Sequence, residues 1–308
     1  MDDHVTDPVP DPGPVIDPAT EAFVAHRDLL FTVAYEMLGS AADAEDVLQE
    51  AWLRWAEVDL AQVRDPRAYL VRITTRQALN RLRTLKRRKE SYVGPWLPEP
   101  LLTAPDVAED VVLSESLSLA LMFVLETLSP TERAVFVLHE VFDFGYEDIA
   151  AVIDKSPSAT RQMAYRARKH VDARRPRTPV SPEETRAALD SFQRALATGD
   201  LQGLLDVLAP DVVLVSDGGG LRMAALKPVV GVDKVLRYMA GSAGKAGGIL
   251  TGEPTTVNGN PGLVLRVDGV IDGVLAVRME DDRVTALYYV RNPEKLTRVE
   301  SEASLTSR

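Results

Sequence analysis

The chain has no cysteine among its 308 residues. That excludes disulfides, thiolate metal sites and thiol redox sensing. Histidine is scarce too: His4, His26, His139 and His170 are the four, and nothing after His170 supplies an imidazole. Long apolar runs are missing. The longest near-continuous one, Leu117–Leu125, falls well short of the ~20 residues needed to cross a bilayer. Met1–Pro18 has neither a basic opening nor an apolar run, so no secretory signal is expected and a cytosolic protein is. Positive charge is in deficit, with 35 Lys and Arg against 46 Asp and Glu and a net −11. On average that argues against nucleic acid, but local patches decide binding, and here charge is segregated into blocks. The 45% hydrophobic and 26% charged content are those of a soluble globular protein long enough for two or three domains. No metal or cofactor site is read from it.

The most basic block is Pro66–Lys89. It opens on Asp65-Pro66 and continues without Gly or Pro, which predicts one long helix. Val71, Ala78, Leu82 and Leu85 form its core stripe. Tyr69, Arg72, Arg76, Asn80, Arg83 and Arg87 fall almost opposite. A solvated basic face usually carries interleaved Glu for i,i+4 pairing. Here ten Lys and Arg between Arg64 and Lys89 face Asp65 alone, so the expected partner is a polyanion.

Before this helix lies an acidic one. Ser40 caps Ala41–Trp55, which turns Asp43, Asp46, Gln49 and Glu50 outward. From Glu36 to Asp59 seven acids face Arg54, which suggests a docking face for a basic partner or simple intramolecular charge balance. A further helix, Glu21–Gly39, precedes it, behind a leader (residues 1–19) whose five prolines among Asp and Val predict disorder. The stretch 93–110 reads as a proline-rich linker. Trp96, Leu97, Leu101 and Leu102 are costly to leave wet, so it is expected to dock on a neighbouring domain.

The acidic-then-basic pattern then repeats. A single helix is expected over Val111–Leu128, and Ser129-Pro130-Thr131-Glu132 caps another through Val141. Tyr146–Ile153, a turn at Asp154-Lys155 and Ser158–Ala173 make a helix-turn-helix. Asp154 stands where glycine is commonest, and Asp tolerates the left-handed conformation. Glu126–Lys155 holds seven acids against Arg133 and Lys155. Arg161–Arg175 then holds six bases against Asp172. Ser158, Arg161 and Gln162, at the start of the basic helix, point to DNA.

After a second linker, Ser181–Lys295 carries fifteen acids and twelve bases well mixed. A capping box at Ser181 opens a helix, a shorter one follows, and five β-like runs come after, divided by hairpin signals at Asn258–Gly262 and Asp281-Asp282. Helices first and a curled antiparallel sheet after give an α+β domain of cone type. Residues 298–308 read as a disordered tail.

Asp43–Leu53 resembles the region-two helix of extracytoplasmic-function RNA polymerase sigma factors. Ala68–Ile73 through Asn80–Arg83 resembles their segment that opens the upstream edge of the promoter bubble. Tyr146–Ala150 with Arg161-Gln162 and Tyr165–Arg168 resembles their region-four helix-turn-helix. Trp96–Pro100, Asp217–Gly220 and Asn292–Leu296 are similar to motifs of the subgroup with a C-terminal SnoaL-like cone. Met163 departs from the pattern, standing where many relatives place Arg, and the Arg that often follows Asp-Gly-Gly-Gly is displaced to Arg222.

The resemblance implies a multidomain chain: a region-two domain over residues 20–92, a region-four domain over 111–176 and a SnoaL-like α+β cone over 182–297. It implies core RNA polymerase (β′ and β subunits) and promoter DNA as partners. Asp43, Asp46, Gln49, Glu50 and Leu53 would hold polymerase. Arg72, Arg76, Asn80, Arg83 and Arg87 would meet the proximal promoter element, and Ser158, Arg161, Gln162, Tyr165, Arg166 and Arg168 the distal one. Trp96, Leu97 and Pro98 would meet Asp217, Gly218, Gly219, Gly220, Asn292 and Pro293 across a regulatory interface.

Two rivals come from other classes. A ligand-gated helix-turn-helix regulator leaves Pro66–Lys89 without a task. A cone-fold enzyme would draw on Asp217, Asp211, Asp268, Tyr288 or Tyr289, with no histidine among them. A small apolar ligand in the mouth of the cone is left open.

Overall fold

The computed structural model describes residues 17–104, 111–174, 180–246, 248–300, 302–303 and 305–306. The leader up to residue 16 and parts of both linkers lie outside them.

Each helix begins where the sequence supplies a cap. Asp17 accepts from Ala19 N and Thr20 N to open α1 (Pro18–Leu38), which Gly39 ends in the left-handed conformation at φ 68°. Ser40 caps α2 (Ala41–Trp55), and Asp65 caps α3 (Pro66–Glu90) with proline in its first turn. The expected Val111–Leu128 helix is two, α4 (Val111–Leu117) and α5 (Leu119–Leu125). Ser118 breaks it, with φ −51° and ψ 136°, and its hydroxyl caps Leu121 N. The break has a packing cause. Leu117 and Leu121 point into the helical core, whereas Leu119 belongs to the core of the third domain, and one straight stripe cannot serve both.

A capping box at Ser129 and Glu132 opens α6 (Pro130–Phe136), which widens into a π turn over Val137–Val141. Then come α7 (Tyr146–Ile153), Asp154 at φ 54° and ψ 52°, and α8 (Pro157–Asp172). The last unit opens with α9 (Pro182–Thr198) and α10 (Leu201–Val207), and α11 (Val232–Ala246) lies between its second and third long-range strands.

Eight strands form one sheet. They are β1 (Leu102–Thr103), β2 (Leu208–Asp217), β3 (Val229–Val230), β4 (Leu250–Val257), β5 (Asn260–Val267), β6 (Val270–Glu280), β7 (Arg283–Val290) and β8 (Glu302–Ala303), in the order β3-β2-β7-β6-β5-β4-β1-β8. β2 runs parallel to β7 and β8 parallel to β1, and the remaining pairs are antiparallel. Successive strand residues serve opposite faces. Leu214, Leu263, Leu275 and Leu287 pack under α9 to α11. Val215, Val264, Val274 and Tyr288 pack on the other side against Leu97 of the linker and Leu119 of α5. This is the α+β cone, closed on one face by its own helices and on the other by the first half of the chain.

Two expectations are corrected by this packing. The linker does not merely dock: Leu102 and Thr103 enter the third domain's sheet as β1. The tail beyond Arg298 is not loose where it is described. Val299 and Leu305 are buried, β8 pairs with β1, and Thr306 N donates to Thr32 Oγ1 at 3.0 Å. Both stretches gain backbone partners and apolar burial only from residues distant in sequence, so local composition could not announce them. The two helical domains also share one core, which includes Leu30, Trp55, Leu70, Phe136, Ile149 and the tail's Leu305.

Candidate functional surfaces and the interdomain lock

At the junction of linker and cone, Asp217 ends β2 fully buried. Lys295 Nζ lies 2.7 Å from Asp217 Oδ2 and donates to Leu97 O at 2.6 Å, while Leu97 N donates to the same Oδ2 at 2.8 Å. Tyr92 OH donates to Asp217 Oδ1 at 2.5 Å and accepts from Asn292 Nδ2 at 2.8 Å. The Lys295 ammonium also sits 3.4 Å from the Trp96 ring centroid, a cation–π contact. Burial pulls Lys295 down to about 8 despite Asp217, and burial with Asp217 pushes the Tyr92 hydroxyl up. Both carboxylate oxygens accept hydrogen bonds, and the ammonium has two oxygen acceptors and a ring face, the kind of compensation a buried pair requires.

The neighbouring glycines explain themselves here. A Cβ on Gly218 would come 2.2 Å from Arg222 O, and one on Gly219, at φ 61°, would strike the Asn292 side chain. Gly220 faces Val93. Pro98 is buried beside Gly39, and exposed Pro293 opens the turn that Asn292 caps. Asp217 is therefore an internal partner of the linker, buried and not open to solvent. The cone interior is filled by Leu189, Phe192, Leu214 and their neighbours, and a ligand there gains no support.

A second contact escaped the sequence reading. The Asn258-Gly259 hairpin tip reaches between α1 and the linker. Asn258 Oδ1 accepts from Leu101 N at 2.9 Å, and its Nδ2 donates to Tyr35 OH at 2.6 Å. Tyr35 OH donates in turn to Glu99 O at 2.5 Å, and Glu99 accepts from Ala41 N at 2.7 Å at the start of α2. A tyrosine hydroxyl within an apolar stripe was the available signal, because a buried hydroxyl needs a partner.

Within the helical unit, Glu36 is wholly buried and accepts from Ser116 Oγ at 2.7 Å. Burial pushes its carboxyl up to about 8, against the opposing effects of Ser116 and Arg133. Arg133 donates to Glu36 O and to Glu126 Oε1, the latter at 2.6 Å, and Lys89 reaches the other Glu126 oxygen. Burial pushes Glu126 up, but Arg133 and Lys89 outweigh it and hold its carboxyl low.

The acidic face of α2 is only partly free. Asp43 is buried and, with Asp46, is bound by Arg81 of α3 at 2.6 and 2.8 Å. Gln49, Glu50 and Leu53 are exposed, Leu53 at 65%.

The basic face of α3 looks towards α7 across a 340 Å³ groove lined by Arg64, Tyr69 and Arg72 on one side and Phe144, Asp148 and Val152 on the other. Arg72 lies over the Tyr69 ring at 4.7 Å. Arg76 Nη2 donates to Ala151 O at 2.9 Å. Arg83 donates to Asn80 Oδ1 at 3.1 Å, and both are exposed. The Arg87 side chain lies outside the described residues.

On α8, Ser158, Arg161, Gln162, Tyr165, Arg166 and Arg168 are all exposed and follow one face. Glu147 holds Arg161 at 3.2 Å, Glu132 approaches Arg166 at 3.7 Å, and Glu140 holds Arg168 at 2.5 Å. Among the described residues, no helix is long and apolar enough to cross a membrane.

Comparison with known proteins agrees with this architecture. Residues 22–88 match the family model for sigma-70 region 2, and residues 118–171 match that for sigma-70 region 4. The ECF RNA polymerase sigma factor SigJ of Mycobacterium tuberculosis is 38% identical over 288 residues, covering 89% of this chain and 92% of its own. The probable ECF RNA polymerase sigma factor SigI of the same species is 33% identical over 293 residues, covering 93% of this chain and 97% of its own. The crystal structure of M. tuberculosis SigJ superposes with a TM-score of 0.74 at 36% identity, covering 90% of this chain and 98% of that one. With regions two and four in order and a SnoaL-like cone behind them, the chain belongs to the extracytoplasmic-function RNA polymerase sigma factors, which direct promoter-specific transcription initiation.

Proposed function

We propose that this sigma factor is regulated in cis, its cone holding the chain closed until core polymerase or an upstream signal releases it. The observation that carries the reading is the buried Asp217–Lys295 pair, which grips both backbone polar groups of Leu97. A linker bound at Leu97, at β1 and at Asn258 cannot let the two helical domains separate, and they share one core while it is bound. Promoter elements that are far apart need the reading helices on a movable tether.

In this reading Gln49, Glu50 and Leu53 present the polymerase-binding face at once, with Asp43 and Asp46 joining when Arg81 lets go. Arg72, Arg76, Asn80, Arg83 and Arg87 serve the proximal element by stabilising an opened strand. The α8 face serves the distal element in the major groove. Trp96, Leu97, Pro98, Asp217 to Gly220, Asn292 and Pro293 form the regulatory interface. Work beside polymerase places the protein in the cytoplasm, and catalysis has no part in it.

The experiment is binding of purified core RNA polymerase to the full chain and to Asp217→Asn, with folding checked by circular dichroism. Several-fold tighter association of the variant is expected. Unchanged or weaker association of a folded variant would overturn cis closure.

A further inference from the structure

The turn between α7 and α8 holds a residue that is costly twice over. Asp154 takes the left-handed conformation (φ 54°), where glycine is strain-free, and sets a carboxylate at the negative end of the α7 dipole. Its compensation comes from another domain. The Arg76 guanidinium of α3 lies 3.5 Å from Asp154 Oδ1. The same side chain donates from Nη2 to Ala151 O at 2.9 Å and from Nε to Val152 O at 3.4 Å. Both carbonyls lie in the last turn of α7, among those a helix leaves without an internal partner.

Arg76 is thus surrounded by one full and two partial negative charges on oxygen, much as a guanidinium is on a phosphate. It stands in the middle of the α3 face that lacks compensating acids. Arg67, about two and a half helical turns earlier and on the other side of α3, lies over the Phe144 ring at 5.4 Å, so the approach to α7 meets α3 at a second point.

We propose that the C-terminal end of α7, with Asp154, is an internal substitute for a DNA phosphate: it occupies Arg76 in the closed chain and must be displaced before α3 receives the promoter strand. The inference rests on the assignment of α3 to DNA and adds the element that masks it. The immediate cover is the first helix of the helix-turn-helix, not the cone. It also gives Asp154 a reason to stand where glycine would fit better.

The test uses the full chain without polymerase and a fluorescein-labelled, mixed-sequence, single-stranded 20-mer at low salt. Asp154→Asn tolerates the same backbone conformation and removes the charge, and Asp154→Gly removes charge and strain together. Both should bind about two- to fivefold more tightly, the scale of an exposed ion pair. Removing any acid near DNA could raise affinity, so the deciding measurement is the double-mutant cycle. In an Arg76→Gln background the gain from Asp154→Asn should vanish. An equal gain there, or no gain in either background, would overturn the proposal. If Arg76→Gln leaves the affinity of the unmasked Asp154→Asn chain unchanged and Arg83→Gln does the same, the assignment of α3 to DNA fails instead, and the two failures are distinguishable.

Discussion

The two basic helices, α3 and α8, are built from similar residues and meet opposite fates in the closed chain. The arginines of α8 are matched by acids of their own domain (Glu147, Glu132, Glu140), and its outer face stays open to solvent. The middle of α3 is instead matched by another domain, through Arg76 and the end of α7. Like charge on a helix does not say what it will touch. What distinguishes the two is whether compensation comes from within the folding unit or across a separable interface, and only the second kind can be switched by moving domains.

The largest expected effect comes from breaking the lock that keeps the comparison one-sided. Lys295→Met would leave Asp217 buried without its cation, a loss of about 3–5 kcal/mol. A lowered unfolding temperature and protease cleavage between Tyr92 and Trp96 are expected, with affinity of α8 for duplex DNA unchanged. Next in size, Arg161→Ala and Gln162→Ala should each cost about 1–3 kcal/mol of distal-element recognition while core polymerase is retained in a pull-down. Loss of polymerase binding would remove the functional contrast between α8 and the acidic face of α2.

Glu36 sharpens the comparison from the shared core beneath both helices. Its folded pKa, raised to about 8, lies above the ordinary glutamate value, so the folded chain keeps a proton that the unfolded chain releases. That contribution to stability is complete below the unfolded value and is lost as pH rises from about 4.5 through 8, at up to ~1.4 kcal/mol per pH unit. Glu36→Gln should flatten this slope in chemical denaturation across that range. Smallest of all, Arg168→Ala removes a half-exposed pair with Glu140 and should change stability by less than about 1 kcal/mol.

Much of the helical half is legible in the sequence because its signals are local. Asp17, Ser40, Asp65, Ser129, Ser156 and Ser181 cap the helices that follow them, and Asp154 takes the left-handed turn. The third domain's hairpins are legible for the same reason, through Asn258-Gly259 and Asp281-Asp282. What composition conceals is pairing over distance. Leu102-Thr103 becomes a strand only because Val257 and Glu302 lie beside it, and Leu305 orders the tail only because α1 offers it a core. The candidate site divides similarly. The faces of α2, α3 and α8 can be read from periodicity, whereas the partners of Arg76, Tyr35 and Asp217 arise from tertiary contacts that no single stretch encodes.

Because the chain lacks cysteine, one pair of labels can report on closure directly. Gln62→Cys and Ala151→Cys, on opposite walls of the groove between α3 and α7, would carry spin labels for a distance measurement. A single short distance is predicted for the protein alone, and a longer one once core RNA polymerase is bound. The same short distribution with and without polymerase would contradict the claim that the covered helix is uncovered when the sigma factor is put to work.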